Sequence, residues 1–128
     1  MLFRSRLALL AHRVRRAEAA LEAVVDGAVA ALAPEPWPDA GPIAFPAVQF
    51  GRLPAEVTLR LLGRAIAYAG NEGPVELAKL EALHAELAAS SGSVRFRRTL
   101  AGAVVTRFGD RLWVERAPAR HKRVYARL

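Results

Sequence analysis

Residues Thr99–Ala117 read TLAGAVVTRFGDRLWVERA, and the period of this stretch decides the fold. Residues alternate at strand spacing on both sides of Gly109-Asp110, a dipeptide that suits a two-residue hairpin turn. With those two residues as the loop, Val105 faces Val114 and Arg107 faces Leu112, while Thr106 faces Trp113 on the other side. Neither side is cleanly polar, so both faces of the hairpin are expected to be partly covered. Gly102 inside the first strand marks a bulge or a close approach of backbone. Val94–Arg98 is long enough to add a short strand.

Upstream of this stretch the period is helical. Leu77, Leu80, Leu83 and Leu87 form the core stripe of one helix, which follows Gly73-Pro74 and ends near Ser90-Ser91-Gly92. A preceding helix starts at Leu53-Pro54-Ala55-Glu56, with proline at the first helical position and a carboxylate in the first turn. Its stripe is Ala55, Leu59, Leu62, Ile66 and Ala69, widened by Thr58, Leu61 and Ala65, and Gly70 is placed to cap its end. The short join between the two helices predicts an antiparallel helical hairpin.

Residues 34–50 hold five of the eight prolines, which forbids a helix or a central strand there. Trp37, Ile43, Phe45, Val48 and Phe50 are too many large apolar groups for a free linker, so this connector is expected to be pinned across the helices. Before it, Leu7, Leu10, Val14, Ala17, Leu21, Val24 and Ala28 repeat at alternating spacings of three and four, an a/d stripe of one long helix. Packing of that stripe on its own domain is the expectation; docking on a partner, or a homodimer through it, is the alternative. The chain thus divides into a long helix (1–33), a proline-rich connector (34–52), a helical hairpin (53–91), a β element (92–117) and a basic tail (118–128). The fold class is α+β.

The 128 residues allow a real core and contain no cysteine, which excludes disulfides, thiolate-bound zinc and thiol chemistry. No apolar run reaches the ~18 residues of a membrane span, and Leu7–Ala11 is shorter than the roughly 7–15 residues of a signal-peptide core. No membrane association and a cytoplasmic location are expected. The residues available for catalysis are sparse. His12, His84 and His121 have no paired spacing, so no metal site is expected, and His84 reads as a boundary residue of its helix. No serine lies in a nucleophile elbow, no glycine loop cradles phosphate, and Glu76, Glu81 and Glu86 read as solvated.

Binding is better supported. The net charge is +7, and residues 92–128 carry ten cations against two anions. Seventeen of the 19 cations are arginine, suited to bidentate phosphate contact. Such asymmetry points to a polyanion partner. The candidate RNA contacts, chosen on charge alone, are Arg60, Arg64, Arg95, Arg97, Arg98, Arg107, Arg111, Arg116, Lys122 and Arg123. Phe96, Trp113 and Tyr125 are available for base stacking, although Phe96 and Trp113 are expected to serve the core first.

Five blocks, in order, carry a family resemblance: Arg15–Glu22 (RRAEAALE), Leu53–Ile66 (LPAEVTLRLLGRAI), Leu77–Leu83 (LAKLEAL), Arg97–Ala103 (RRTLAGA) and Leu112–Arg116 (LWVER). Together they resemble the region that follows the catalytic domain in bacterial tRNA(Ile)-lysidine synthases, over about Leu7 to Arg116. The resemblance implies a PP-loop ATP pyrophosphatase. Such an enzyme uses ATP and Mg²⁺ to adenylate the wobble cytidine of an isoleucine tRNA with a CAU anticodon. The amine of lysine then displaces AMP. The family's catalytic S-G-G-x-D-S loop lies in an N-terminal domain, and the region after it helps to grip the tRNA. The present sequence has no such loop. It is therefore expected to be a C-terminal piece of the enzyme, with no catalytic residue and no cofactor of its own. Its partners would be tRNA(Ile) and the enzyme's own N-terminal catalytic domain. The alternative is a helical protein-interaction module with no RNA role.

Overall fold

A computed structural model describes residues 2–119. Its elements are α1 (Leu2–Leu32), β1 (Ile43–Pro46), α2 (Ala47–Gly51), α3 (Ala55–Gly70), α4 (Leu77–Ala89), β2 (Phe96–Leu100), β3 (Ala103–Phe108) and β4 (Arg111–Arg116). The strands form one antiparallel sheet in the order β1-β4-β3-β2, so the architecture is α+β.

The β3–β4 hairpin has the expected register, with Val105 opposite Val114, Thr106 opposite Trp113 and Arg107 opposite Leu112. The strand before it differs. Thr99–Phe108 is not one strand with a bulge at Gly102; the chain turns at Ala101-Gly102 and pairs Leu100 with Ala103. Both turn residues have positive φ, 50° and 82°. Two such residues make the type of turn whose twist matches a hairpin. Glycine accepts that conformation freely and alanine does not, so the sequence Ala-Gly conceals the turn.

The proline-rich connector also contains more structure than its composition suggests. Ile43–Pro46 pairs with β4 as an edge strand, where the missing N–H of Pro46 costs no central ladder bond. The short helix α2 follows at once. Asp110, in the β3–β4 turn, accepts hydrogen bonds from both of its first amides: Ala47 N donates to the carbonyl (2.9 Å) and Val48 N to Oδ1 (2.8 Å). The connector is pinned as expected. Trp37 Nε1 donates to Ala33 O (2.7 Å), Tyr68 Oη donates to Trp37 O (2.9 Å), and the two rings meet edge to face.

One apolar core joins the elements. Leu61, Leu62, Ala65 and Ile66 of α3 are fully buried against Ile43, Phe45, Val105, Leu112 and Val114 of the sheet. Each large aliphatic side chain buried this way contributes about 1.5–3 kcal/mol. Leu80, Leu83 and Leu87 bring α4 against α3, whereas Leu77, the first residue of the expected stripe, is exposed. Ala55 is also exposed, and the buried face of α3 is centred instead on Val57, Thr58, Leu61, Leu62, Ala65 and Ile66. Asn71, not Gly70, caps α3: it is left-handed (φ 52°, ψ 38°) and its N–H bonds Ala67 O. Gly70 has a different task, since Ala101 of the β2–β3 turn lies directly against it.

The long first helix is the main correction. Only Val25, Ala28 and Val29 of α1 are buried, and every residue from Leu2 to Ala20 is exposed. Leu7, Leu10 and Val14 of the expected stripe face away from the core, and so does Val24. A three-four spacing identifies one face of a helix but not whether anything covers it.

Candidate nucleic-acid interface

Side chains on a strand alternate between faces, so cross-strand partners share a side of the sheet. The side toward α3 carries Phe96, Arg107, Leu112 and Phe45 in one row, and Arg98, Val105, Val114 and Ile43 in the next. The opposite side carries Arg97, Thr106, Trp113 and Ala44 in one row, and Phe108, Arg111 and Pro46 in the next. Arg95, one residue before β2, extends that last row and sits against its aromatic rings. Its guanidinium carbon lies 5.6 Å from the Phe108 ring centre and 5.9 Å from that of Trp113. Arg111 lies 5.0 Å from the Trp113 ring. The outer side is thus an arginine-aromatic surface, with cations at cation–π range of the indole. Trp113 is half-buried and donates Nε1–H to Glu115 (3.1 Å), while Phe108 remains 50% exposed. Directly opposite Trp113, Thr106 Oγ1 is buried and has no hydrogen-bond partner among the described residues.

The candidate arginines therefore fall into groups that charge alone does not separate. Among the described residues Arg95, Arg97, Arg111 and Arg116 form no ion pair. Arg98 lies at the sheet edge, stacks on Phe96 and pairs with Glu86 of α4 (2.8 Å). Arg107 points to the helical side, where it donates to Ser90 O (3.0 Å) at the end of α4 and to Gly109 O (3.2 Å). That is a cation at a helix C-terminus, a stabilising placement. Lys122, Arg123, His121 and Tyr125 lie outside the described residues. Phe96 is in the core, as expected, but Trp113 belongs to the outer face.

Arg60 and Arg64 have partners on α1. Arg60 bonds Glu18 (2.8 Å) and Glu22 (2.8 Å), and also Glu56 one turn earlier on α3 (2.9 Å). Arg64 bonds Asp26 (2.7 Å) and Glu22. These bonds hold the Glu18 and Glu22 carboxyls below the usual range, through Arg60 first, and for Glu22 through Arg64 as well. They raise Arg60 well above its ordinary value. The groups are largely solvent-facing, so each pair is weak alone, and the network acts as a salt-sensitive clamp between α1 and α3. A lowered carboxylate contributes stability above its unfolded pKa and loses it as pH falls through the folded value. Protection of the α1 amides around Glu18–Asp26, the exchange rate relative to its intrinsic rate at the same pH, is expected to fall below about pH 5, and Glu22→Gln to lower it likewise at pH 7. Unchanged protection in both would refute the clamp. The carboxylates of this network all lie on helices, and no local spacing pairs Glu18 and Glu22 with Arg60.

His84 is a boundary residue, as expected. Thr58 Oγ1 donates to Ala55 O (3.0 Å), so its one proton is committed and His84 Nε2 must donate the 2.7 Å bond to it. Burial pushes His84 below its usual range, partly opposed by Glu56. Among the described residues no group of three His, Asp or Glu could hold a metal ion. No helix of the described residues is long and apolar enough to cross a membrane.

No family model and no solved structure matches the chain. Curated relatives do. The chain is 42% identical to the tRNA(Ile)-lysidine synthase of Bradyrhizobium diazoefficiens, over 91% of this chain and 37% of that protein. It is 43% identical to the synthase of Rhodopseudomonas palustris (92% and 36%) and 41% identical to that of Methylobacterium nodulans (91% and 35%). Over nine-tenths of its length the chain is thus a relative of the tRNA(Ile)-lysidine synthases, the family its five sequence blocks resemble, and it spans a little over a third of their length.

Proposed function

We propose that the chain is the tRNA-gripping C-terminal part of a tRNA(Ile)-lysidine synthase, and that the outer face of its sheet is the grip. The observation that carries this reading is the surface itself: Arg95, Arg97 and Arg111 stand on one side of the sheet, opposite the core, without carboxylate partners among the described residues. Guanidinium groups so placed suit phosphates, which fix the register of a nucleic acid without reading its sequence. Adenylation of the wobble cytidine and its attack by lysine belong, on this reading, to the catalytic domain of the whole enzyme, with its ATP and Mg²⁺. The chain's own task is orientation. A tRNA held at this face by several phosphates loses affinity with salt, at a slope of roughly −0.7 to −0.9 per phosphate in log–log form. Titration of a CAU-anticodon tRNA(Ile) against the chain from low to moderate salt is expected to show a slope of about −2 or steeper. A flat response, or no binding at low salt, refutes the reading.

One observation favours a second reading, a helical interaction module. Leu7, Leu10 and Val14 lie exposed on one face of α1, and Leu2 and Phe3 are exposed beside them. Light scattering separates the two readings. A dimer that Leu7→Glu with Leu10→Glu dissociates, in a chain without RNA affinity, would favour the module; a monomer that binds tRNA would exclude it.

A further inference from the structure

From the outer face we infer that its ligand is an unpaired stretch of RNA, one or two bases of which stack on the sheet. The inference rests on the RNA-gripping reading above and names what that surface takes. In a duplex the bases already stack on each other, and proteins reach RNA duplexes through phosphates and 2′-hydroxyls. Exposed aromatic rings add nothing to such contacts. Unpaired bases, in contrast, stack on aromatic rings and on guanidinium planes.

The sheet presents both kinds of surface, and on its two central strands. Phe108 lies on β3 and Trp113 on β4, with β1 and β2 outside them. Phe108 is half exposed at the end of its strand, a large ring that the core does not use. Arg95 stands between the two rings, and Arg111 lies against the indole from the other strand. A base seated on Phe108 therefore finds Arg95 and Arg111 within reach of its flanking phosphates. Thr106, beside Trp113 in the next row, carries a hydroxyl that has no partner among the described residues. A base seated here meets Arg95 and Arg111, both of which lie against the indole, so binding at this face changes the environment of Trp113.

The test uses the 128-residue chain with two probes, a single-stranded RNA octamer and a longer, stably paired blunt RNA duplex that carries the greater charge. The octamer is expected to bind at least tenfold more tightly than the duplex and to change the tryptophan emission. Trp113→Phe should abolish that change while the buried Trp37 remains. Phe108→Ala should weaken octamer binding about tenfold, and Phe108→Leu, which keeps the bulk and removes the π face, should weaken it similarly. Duplex affinity should change less than twofold in both. Duplex binding as tight as octamer binding, with tryptophan emission unmoved, would overturn the inference and leave the RNA-gripping reading standing. Failure of both RNAs and of tRNA to bind at low salt would remove that reading and the inference with it.

Discussion

A chain carrying Gly70→Val is expected to lose about 3 kcal/mol of stability, at the upper end of the cost of overpacking a core. Against a total of roughly 5–15 kcal/mol for a domain, that is enough to leave it partly unfolded on mild heating. Gly70 ends α3, and a Cβ built there collides with the carbonyl of Ala101 and comes within 3.0 Å of Gly102 carbon. The obstacles are backbone atoms of the β2–β3 turn, so no side chain can swing aside. Relief requires lifting the turn off the helix, which carries Ala103, Val104 and Val105 with it, all of them buried. Two other helical glycines make the control. A Cβ at Gly63 meets only Leu80 Cδ2 at 2.9 Å, a flexible group, and a Cβ at Gly27 meets nothing within 4 Å. Gly27→Ala should stabilise by up to about 1 kcal/mol through helix propensity, with Gly63→Ala between the extremes. Urea midpoints measure the series. Similar values for all three sites would show that the turn does not rest on Gly70.

The same position shows where sequence reading ends. Gly and Asn both accept the left-handed conformation, so Gly70-Asn71 locates a helix end to within one residue and no better. Which of the two caps is settled by the turn packed on the other. The β3–β4 hairpin was legible because its register follows from a local turn and a period of two. The edge strand Ile43–Pro46 was not, because its partner β4 lies more than sixty residues later and the two share no local signal. The long helix was legible as a helix, yet its exposed half was not, since the spacing of Leu7, Leu10 and Val14 would be the same if a neighbour covered them. Of the candidate site, charge selects the arginines but merges three different placements. Period two separates Arg97 from Arg98 and, across the Gly109-Asp110 turn, Arg107 from Arg111, but only the concealed turn at Ala101-Gly102 puts Arg95 and Arg97 on the side of Arg111. The carboxylates opposite Arg60 and Arg64 come from a helix some forty residues earlier, and only the folded arrangement reveals them.

That separation gives the largest functional effect. Replacing Arg95, Arg97 and Arg111 together by alanine is expected to make the salt slope of tRNA binding shallower by about 2 to 3, three phosphates at 0.7–0.9 each. Affinity at moderate salt should fall on the order of a hundredfold. Stability should change little, because all three side chains are exposed and among the described residues none makes an ion pair. The matched variant carries Arg60→Ala and Arg64→Ala. Their guanidinium groups are engaged by Glu18, Glu22, Asp26 and Glu56, so tRNA would have to displace four carboxylates to reach them. This second variant should keep the wild-type salt slope and instead loosen α1 from α3. The opposite pattern, with the slope unchanged in the triple variant and reduced in the double one, would sink the assignment. It would mean that the acidic face of α1 occupies the site of the tRNA phosphates and yields to them, and that the grip lies on α3 and not on the sheet.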